Sequence, residues 1–297
     1  MKSKSIISRA LLILVGIIFI ISAVMKLLSI DSFEIYVYSL GVLSLNSSLV
    51  ISRLLIGFEL ILGLCLVFPI FTKYAIRLSL ATLLGFTGFL FYLLFSGKEE
   101  HCHCFGDVVE LSHTVSIIKN LVLCGLLIAI IRFPFKNIRS YKFFFAIICV
   151  VGLIAPFMYS IPDNFIKRES RISYQQEYLD TFLSENLHLT QGRKLVGFIG
   201  TGCRFCKLTA KKFTVISKKV NNSTDIFYVV WGNEKTLDNF FDETHSYRFN
   251  HSFLPGNIFL KITDGSLPVI LLLEDGKVVK KYDYRNIQEE EIINFLR

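Results

Sequence analysis

The sequence predicts a bundle of membrane-spanning helices followed by a water-soluble α/β domain. Three observations lead there. Hydrophobic residues make up 53% of the 297 positions, and mean hydropathy is +0.54, too apolar for an ordinary soluble globular protein. The long uncharged runs fall within residues 10–161, whereas 162–297 is a normal water-soluble mixture. Within that second part, strand-like and helix-like patterns alternate. The boundary is therefore expected near Pro162, between a membrane domain (1–161) and a second domain (162–297).

A helical span needs about 20 mostly apolar residues. Five stretches qualify, at 10–28, 49–70, 75–96, 115–133 and 143–161. The first follows Lys2, Lys4 and Arg9 as a signal peptide would, yet Met25 and Lys26 stand where a small-residue cleavage site belongs, so it reads as an uncleaved anchor. Lys73, Arg77, Arg132, Lys136, Arg139 and Lys142 lie in the loops after the second and fourth spans with no acidic residue among them. The positive-inside rule puts these loops and the N-terminus in the cytoplasm. The opposite loops carry Asp31, Glu34, Glu99, Glu100, Asp107 and Glu110. An odd number of spans then delivers residues 162–297 outside, with the loop at 97–114. Of the net charge of +8, +6 falls in 1–161 and +2 in the rest, so topology accounts for most of it. No basic, aromatic-interleaved stripe speaks for nucleic-acid binding.

In the outward domain, Lys194–Gly200 is a short apolar run. Gly202-Cys203-Arg204-Phe205-Cys206-Lys207 follows and opens a helical pattern that continues to about Val220. Asp225–Trp231 reads as a second buried strand, with Trp231 as core, and Asn233–His245 as a second helix. Leu267-Pro268 begins a third apolar strand that enters a hairpin at Asp275-Gly276, a pair suited to a two-residue primed turn. A last helix is expected from about Asn286.

A Cys-x-x-Cys at a helix start is a chemical arrangement. The helix N-terminus favours the thiolate of Cys203, and Cys206, one turn on, can attack a mixed disulfide. Arg204, Lys207 and Lys211 add positive charge nearby. Half of a zinc site is the alternative, but residues 162–297 contain no second cysteine pair. Over about 165–297 the chain resembles the thioredoxin superfamily. That resemblance implies that Pro268 is the family's cis-proline, facing the active cysteines and aligning a bound partner. Two positions depart from the family pattern. Gly202 replaces the tryptophan common before the first cysteine, and Gly197 replaces the buried acid often found six residues before it, which leaves the usual proton relay without its carboxylate.

The loop between the third and fourth spans reads His101-Cys102-His103-Cys104-Phe105-Gly106-Asp107. A Cys102–Cys104 disulfide would close a small, strained and easily reduced ring. His101 and His103 suit proton transfer. With His113, the same residues also suit zinc or copper. Residues 1 to about 135 resemble the DoxX-like four-helix membrane families, in particular the MauE type of methylamine utilisation. The matching features are Ser22-Ala23-Val24-Met25-Lys26-Leu27, Glu59 within Gly57-Phe58-Glu59-Leu60-Ile61-Leu62-Gly63, and Cys102-x-Cys104-Phe105-Gly106. The resemblance implies disulfide formation in partner proteins outside the membrane. The fifth span and the thioredoxin-like domain extend beyond that module.

Glu59 falls near mid-bilayer by helical rise, where an ionisable group is a functional candidate by default. Lys26 and Arg53 read as interfacial side chains that snorkel to the headgroups. Cys65, Cys124 and Cys149 read as packing groups. Together these features predict a membrane-anchored thiol-disulfide oxidoreductase in an oxidising compartment, a bacterial periplasm. Its clients would be extracytoplasmic proteins with cysteines, and Cys203/Cys206 would exchange with Cys102/Cys104. Reversed electron flow and a metal-binding maturation factor using His101, Cys102, His103 and Cys104 are the alternatives. No flavin or nicotinamide fingerprint occurs, and a quinone has no dependable sequence motif.

Overall fold

The computed structural model describes residues 2–68, 70–95, 102–107, 109–111, 113–132, 141–163, 172–220 and 224–297. It divides into two compact units: residues 1–36 with 49–162, and residues 37–48 with 163–297.

The first unit is helical. Its elements are α1 (Lys2–Leu28), α2 (Ile30–Ser39, which ends in the second unit), α3 (Leu45–Val67), α4 (Thr72–Phe95), strands β1 (Cys102–Asp107) and β2 (Val109–Leu111), α5 (His113–Ile130) and α6 (Tyr141–Tyr159). Four helices are long and apolar enough to cross a membrane: Ile6–Leu28, Leu45–Val67, Thr72–Phe95 and Lys142–Tyr159. The fourth expected span, 115–133, forms the shorter α5, whose 18 residues rise about 27 Å, close to the hydrocarbon thickness of about 30 Å. Lys119 and Asn120 interrupt its apolar run near the start. The stretch after the first span, read as plain loop, contains α2.

Small residues let the helices approach closely. A Cβ on Gly57 of α3 would lie 2.4 Å from the Gly152 carbonyl oxygen of α6, and one on Gly16 of α1 would lie 2.8 Å from the Gly63 carbonyl oxygen of α3. Close backbone contact of this kind supplies dispersion attraction where lipid removes any hydrophobic driving force between helices. Leu12, Val15, Phe19, Leu62, Leu66, Ile76 and Leu127 fill the space between. At one end, the Arg9 side chain donates to the Val67 carbonyl at 2.8 Å and satisfies a C-terminal orphan of α3.

Arg53 and Lys26 do not snorkel. Arg53 is 2% exposed and ion-paired with Glu34 of α2, and it also donates to the Ser160 carbonyl (2.8 Å) and the Leu49 carbonyl (2.6 Å). Lys26 turns inward to Glu59 at 2.5 Å. In each case a carboxylate in reach offsets the cost of burial better than a longer route to water.

The second unit holds α7 (Gln176–Glu185), β3 (Arg193–Gly200), α8 (Arg204–Val220), β4 (Ile226–Trp231), α9 (Glu234–Thr244), β5 (Asn250–Phe253), α10 (Gly256–Thr263), β6 (Val269–Glu274), β7 (Lys277–Tyr282) and α11 (Glu289–Leu296). The sheet order is β5-β4-β3-β6-β7, with β3, β4 and β5 parallel and β6 and β7 antiparallel. This is the thioredoxin-like arrangement, with β3 central and buried from Leu195 to Gly200.

Alternate residues of β3 serve opposite faces. Val196 and Phe198 pack with Phe182, Leu183, Phe259 and Ile262 of α7 and α10. On the other face Gly197 meets Phe213 of α8 and Tyr228 of β4. Asn233 caps α9 through a reciprocal capping box with Thr236. Asp275 and Gly276 both have positive φ (49° and 77°), as the primed hairpin turn requires. Three elements have no counterpart in the sequence reading: α7, the four-residue edge strand β5 and α10. Within this unit Glu289 accepts from the Tyr38 hydroxyl (2.8 Å), the Leu45 amide (2.7 Å) and Lys219 (2.5 Å).

Candidate functional site

Strand β3 ends at Gly200 and helix α8 starts at Arg204, so Cys203 occupies the turn between them and Cys206 the first helical turn. Both thiols are free. Cys203 is half-buried, whereas Cys206 is fully buried. The Cys206 backbone N–H donates to Cys203 Sγ at 3.3 Å, and the Gly200 N–H donates to Cys206 Sγ at 3.4 Å.

The two sulfurs are thereby made unequal. Hydrogen bonding from the Cys206 thiol, helped by the backbone amides of Cys206 and Phe205, brings the Cys203 pKa down to about 6 against the opposing effect of burial. Burial, followed by the hydrogen bond to Cys203 and the repulsion of its thiolate, pushes Cys206 well up. The neighbouring lysines contribute less than their number suggests. Lys207 is ion-paired with Glu243, and local hydrogen bonds do the work at Cys203.

The Leu267–Pro268 peptide is cis, as the thioredoxin resemblance implies. It lies beside the cysteines. A Cβ built on Gly200 would sit 3.4 Å from Leu267 Cδ1, 3.8 Å from Cys203 Cβ and 3.9 Å from Trp231 Cε3. Four features thus converge at one end of the sheet: the half-buried Cys203, the cis-proline segment, the tight turn at Gly200 and an indole ring.

Trp231 is the residue the sequence misplaced. It ends β4 with 41% of its surface exposed, against Phe259 (5.9 Å between ring centroids) and directly over Gly256. An apolar strand ending in tryptophan reads as core. Only the strand's parallel pairing with β3, register Gly200↔Trp231, shows that its last residue overhangs the site. Gly202, where the family commonly has tryptophan, is exposed with open space around it. Phe205 packs on Tyr284 at 5.1 Å, under the guanidinium of Arg285.

At Gly197 the buried acid's place is taken by rings. A Cβ there would come within 3.0 Å of Phe213, and Phe213 stacks on Tyr228 at 5.9 Å and 9°. The Tyr228 hydroxyl is fully buried and has no hydrogen-bond partner among the described residues. Burial, and secondarily the charge of Cys206, holds its pKa well above the phenol range.

Of the loop residues, the backbone of Cys102, His103 and Cys104 lies in β1, which pairs antiparallel with β2 (Cys102↔Leu111, Phe105↔Val109) and rests against α1 and α5. Their side chains, and all of His101, lie outside the described residues. Among the described residues no cluster of three or more His, Cys, Asp or Glu could hold a metal. Glu59 is paired with Lys26, and Cys65, Cys124 and Cys149 are free thiols within the helices.

A dithiol of this asymmetry at a helix start, beside a cis-proline on a thioredoxin-like sheet, is the site of a thiol-disulfide oxidoreductase. Here a membrane protein carries it. Residues 4–133 match the family model described as methylamine utilisation protein MauE. Protein TlpB of Flavobacterium psychrophilum is 26% identical, the match covering 78% of this chain and 78% of that one. The solution structure of a thiol:disulfide interchange protein from Bacteroides sp. matches 36% of this chain and 72% of its own at 20% identity, with a TM-score of 0.30. The crystal structure of the thioredoxin domain of a thiol-disulfide oxidoreductase from Bacteroides vulgatus matches 36% and 79% at 19% identity, also with a TM-score of 0.30.

Proposed function

We propose that this protein exchanges disulfides with cysteine-containing client proteins on the outer face of a bacterial cytoplasmic membrane, with its N-terminus in the cytoplasm and residues 162–297 in the periplasm. The observation that carries the reading is the contrast between a half-exposed Cys203 with a pKa of about 6 and a buried Cys206 one turn on. In the oxidising direction a client thiolate attacks the Cys203–Cys206 disulfide at Cys203, and Cys206 leaves. A second client thiolate then attacks the mixed disulfide at the client sulfur and releases Cys203, which leaves readily because its thiolate is stabilised. The client gains a disulfide, and two electrons remain on the Cys203/Cys206 dithiol. Pro268 aligns the client backbone beside Cys203.

The reduced pair is then reoxidised by a Cys102–Cys104 disulfide, with His101 and His103 as proton carriers. Support for this relay is the basic-residue pattern, which puts both cysteine pairs on one side of the membrane, and the single chain, which holds them at high effective concentration.

Alkylation trapping in intact cells tests the proposal. Cys206→Ala should accumulate mixed disulfides on Cys203, some with client proteins and some with Cys102 or Cys104. Four outward thiols that stay reduced and are shielded from alkylation until a chelator is added would overturn it in favour of a metal site. Client disulfides that accumulate when the gene is deleted would reverse the direction.

A further inference from the structure

The helical unit contains a cavity that thiol exchange at Cys203 does not use. It has a volume of about 140 Å³, close to the ~150 Å³ of an engineered cavity that accepts a benzene ring, so one six-membered ring fits. Its walls are apolar, among them Phe19, Phe58, Phe86 and Leu123. Leu55 on its rim is 48% exposed, so the cavity opens to the lipid-facing surface of the bundle.

Against these walls stands a compact polar end. The Lys26–Glu59 pair, Lys119 and Asn120 all line the cavity. Asn120 is 1% exposed, and its side-chain Nδ2 has no hydrogen-bond partner among the described residues. A buried amide donor without an acceptor costs about 1–3 kcal/mol, so the site is built to receive an oxygen acceptor on an otherwise apolar molecule. Lys26 and Lys119 add positive charge beside that acceptor, and Glu59 is a carboxylate able to carry a proton to it.

The cavity lies at mid-height of α3, α4 and α5, with lining residues 55–59, 82–86 and 119–123, and reaches along α1 from Ile18 to Lys26, toward the end of α1. Strand β1, which contains Cys102 and Cys104, rests against α1 and α5.

We propose that this cavity binds the ring of a lipid-soluble quinone. Asn120 donates to one carbonyl oxygen, and the Lys26/Glu59 and Lys119 groups serve its protonation. Resting on the exchange reading above, the quinone is the terminal acceptor. The Cys102/Cys104 dithiol loses two electrons and two protons as its S–S bond forms, and the quinone takes up both pairs to become quinol. The tail leaves past Leu55 into the hydrocarbon.

The test uses the full chain in nanodiscs, with a decyl-tailed benzoquinone as the probe. Titration should show saturable binding, and protein reduced beforehand with dithiothreitol and desalted should convert the quinone to quinol in step with the loss of loop thiols. Asn120→Leu should raise the dissociation constant about tenfold, the worth of one hydrogen bond, and Asn120→Gln should restore part of it. Phe86→Trp, which fills the cavity, should abolish binding by a route independent of hydrogen bonding. Undiminished binding in Asn120→Leu and Phe86→Trp would overturn the site. So would a co-purified phospholipid or fatty acid, identified by mass spectrometry, that the quinone does not displace. Peptide-disulfide exchange by Cys203, assayed separately on the same preparation, separates the two proposals. Exchange without quinone binding sinks this inference alone, and loss of exchange with binding intact sinks the relay.

Discussion

The Cys206 backbone N–H points at Cys203 Sγ across 3.3 Å, so the first turn of α8 stabilises charge on one sulfur while burying the other. With a pKa of about 6, Cys203 is roughly nine-tenths thiolate at pH 7. Its alkylation rate should rise with a midpoint near pH 6. Cys206→Ala removes the largest hydrogen bond holding it down and should move that midpoint up, though still below 9, because two backbone amides remain. A lowered thiol pKa stabilises the reduced fold above the ordinary thiol range, and that contribution is lost as pH falls from about 9 through about 6. A wild-type midpoint near 8.5 would refute this account.

Gly197 makes room for the Phe213–Tyr228 stack. Gly197→Ala should destabilise the second unit by about 1–3 kcal/mol through overpacking, and Gly197→Asp by more, since it also buries an unpaired carboxylate. Trp231, the sole tryptophan, reports the transition by its fluorescence in denaturant titrations of the full chain. Unchanged unfolding midpoints would show that the rings yield easily.

Tyr228→Phe removes a buried hydroxyl that has no partner among the described residues, so it should be neutral or stabilise by up to about 1 kcal/mol. A loss beyond about 1 kcal/mol in the same titration would mean that the hydroxyl is hydrogen-bonded in solution.

The Arg53–Glu34 pair is buried on both sides, at 2% and 4% side-chain exposure. Removing either partner leaves a buried charge, so Arg53→Ala and Glu34→Ala should each cost about 3–5 kcal/mol, and the double variant less than their sum. Thermal unfolding of the four proteins in detergent measures the coupling, and strict additivity would contradict it.

Trp231 overhangs the cysteines with 41% of its surface exposed. Trp231→Ala should lower kcat/KM for a cysteine-containing peptide about tenfold while leaving the Cys203 alkylation midpoint near 6. A shifted midpoint with unchanged kcat/KM would assign the ring to the electrostatics of the site.

Several parts were legible because they depend on short-range chemistry. Apolar runs located the five long helices of the first unit to within a few residues, apart from the start of α1, which begins at Lys2 and not near residue 10, while the short α2 was read as loop. The Cys-x-x-Cys between an apolar run and a helical pattern located the dithiol, and Asp275-Gly276 located the hairpin. Strand β5 escaped notice because its four residues, Asn250–Phe253, show no apolar run. Helices α7 and α10 escaped because their short apolar faces acquire meaning only against Phe198 and Val196.

By itself the sequence determined which residues can do chemistry and that one half of the chain belongs in a membrane, since residue type and hydropathy settle both. Tertiary structure decided the environments. It took Lys26 and Arg53 away from the interface and gave them carboxylates, because in an apolar surrounding a paired charge costs less than a lone one. It brought Trp231 and the Leu267–Pro268 peptide to Cys203 from 28 and 64 residues away, because parallel and antiparallel register across β3 aligns strand ends that no local pattern connects. And it placed Asn120 in the wall of a cavity with no partner for its Nδ2 among the described residues, because the hydrogen bonds open to a buried amide depend on neighbours drawn from other helices.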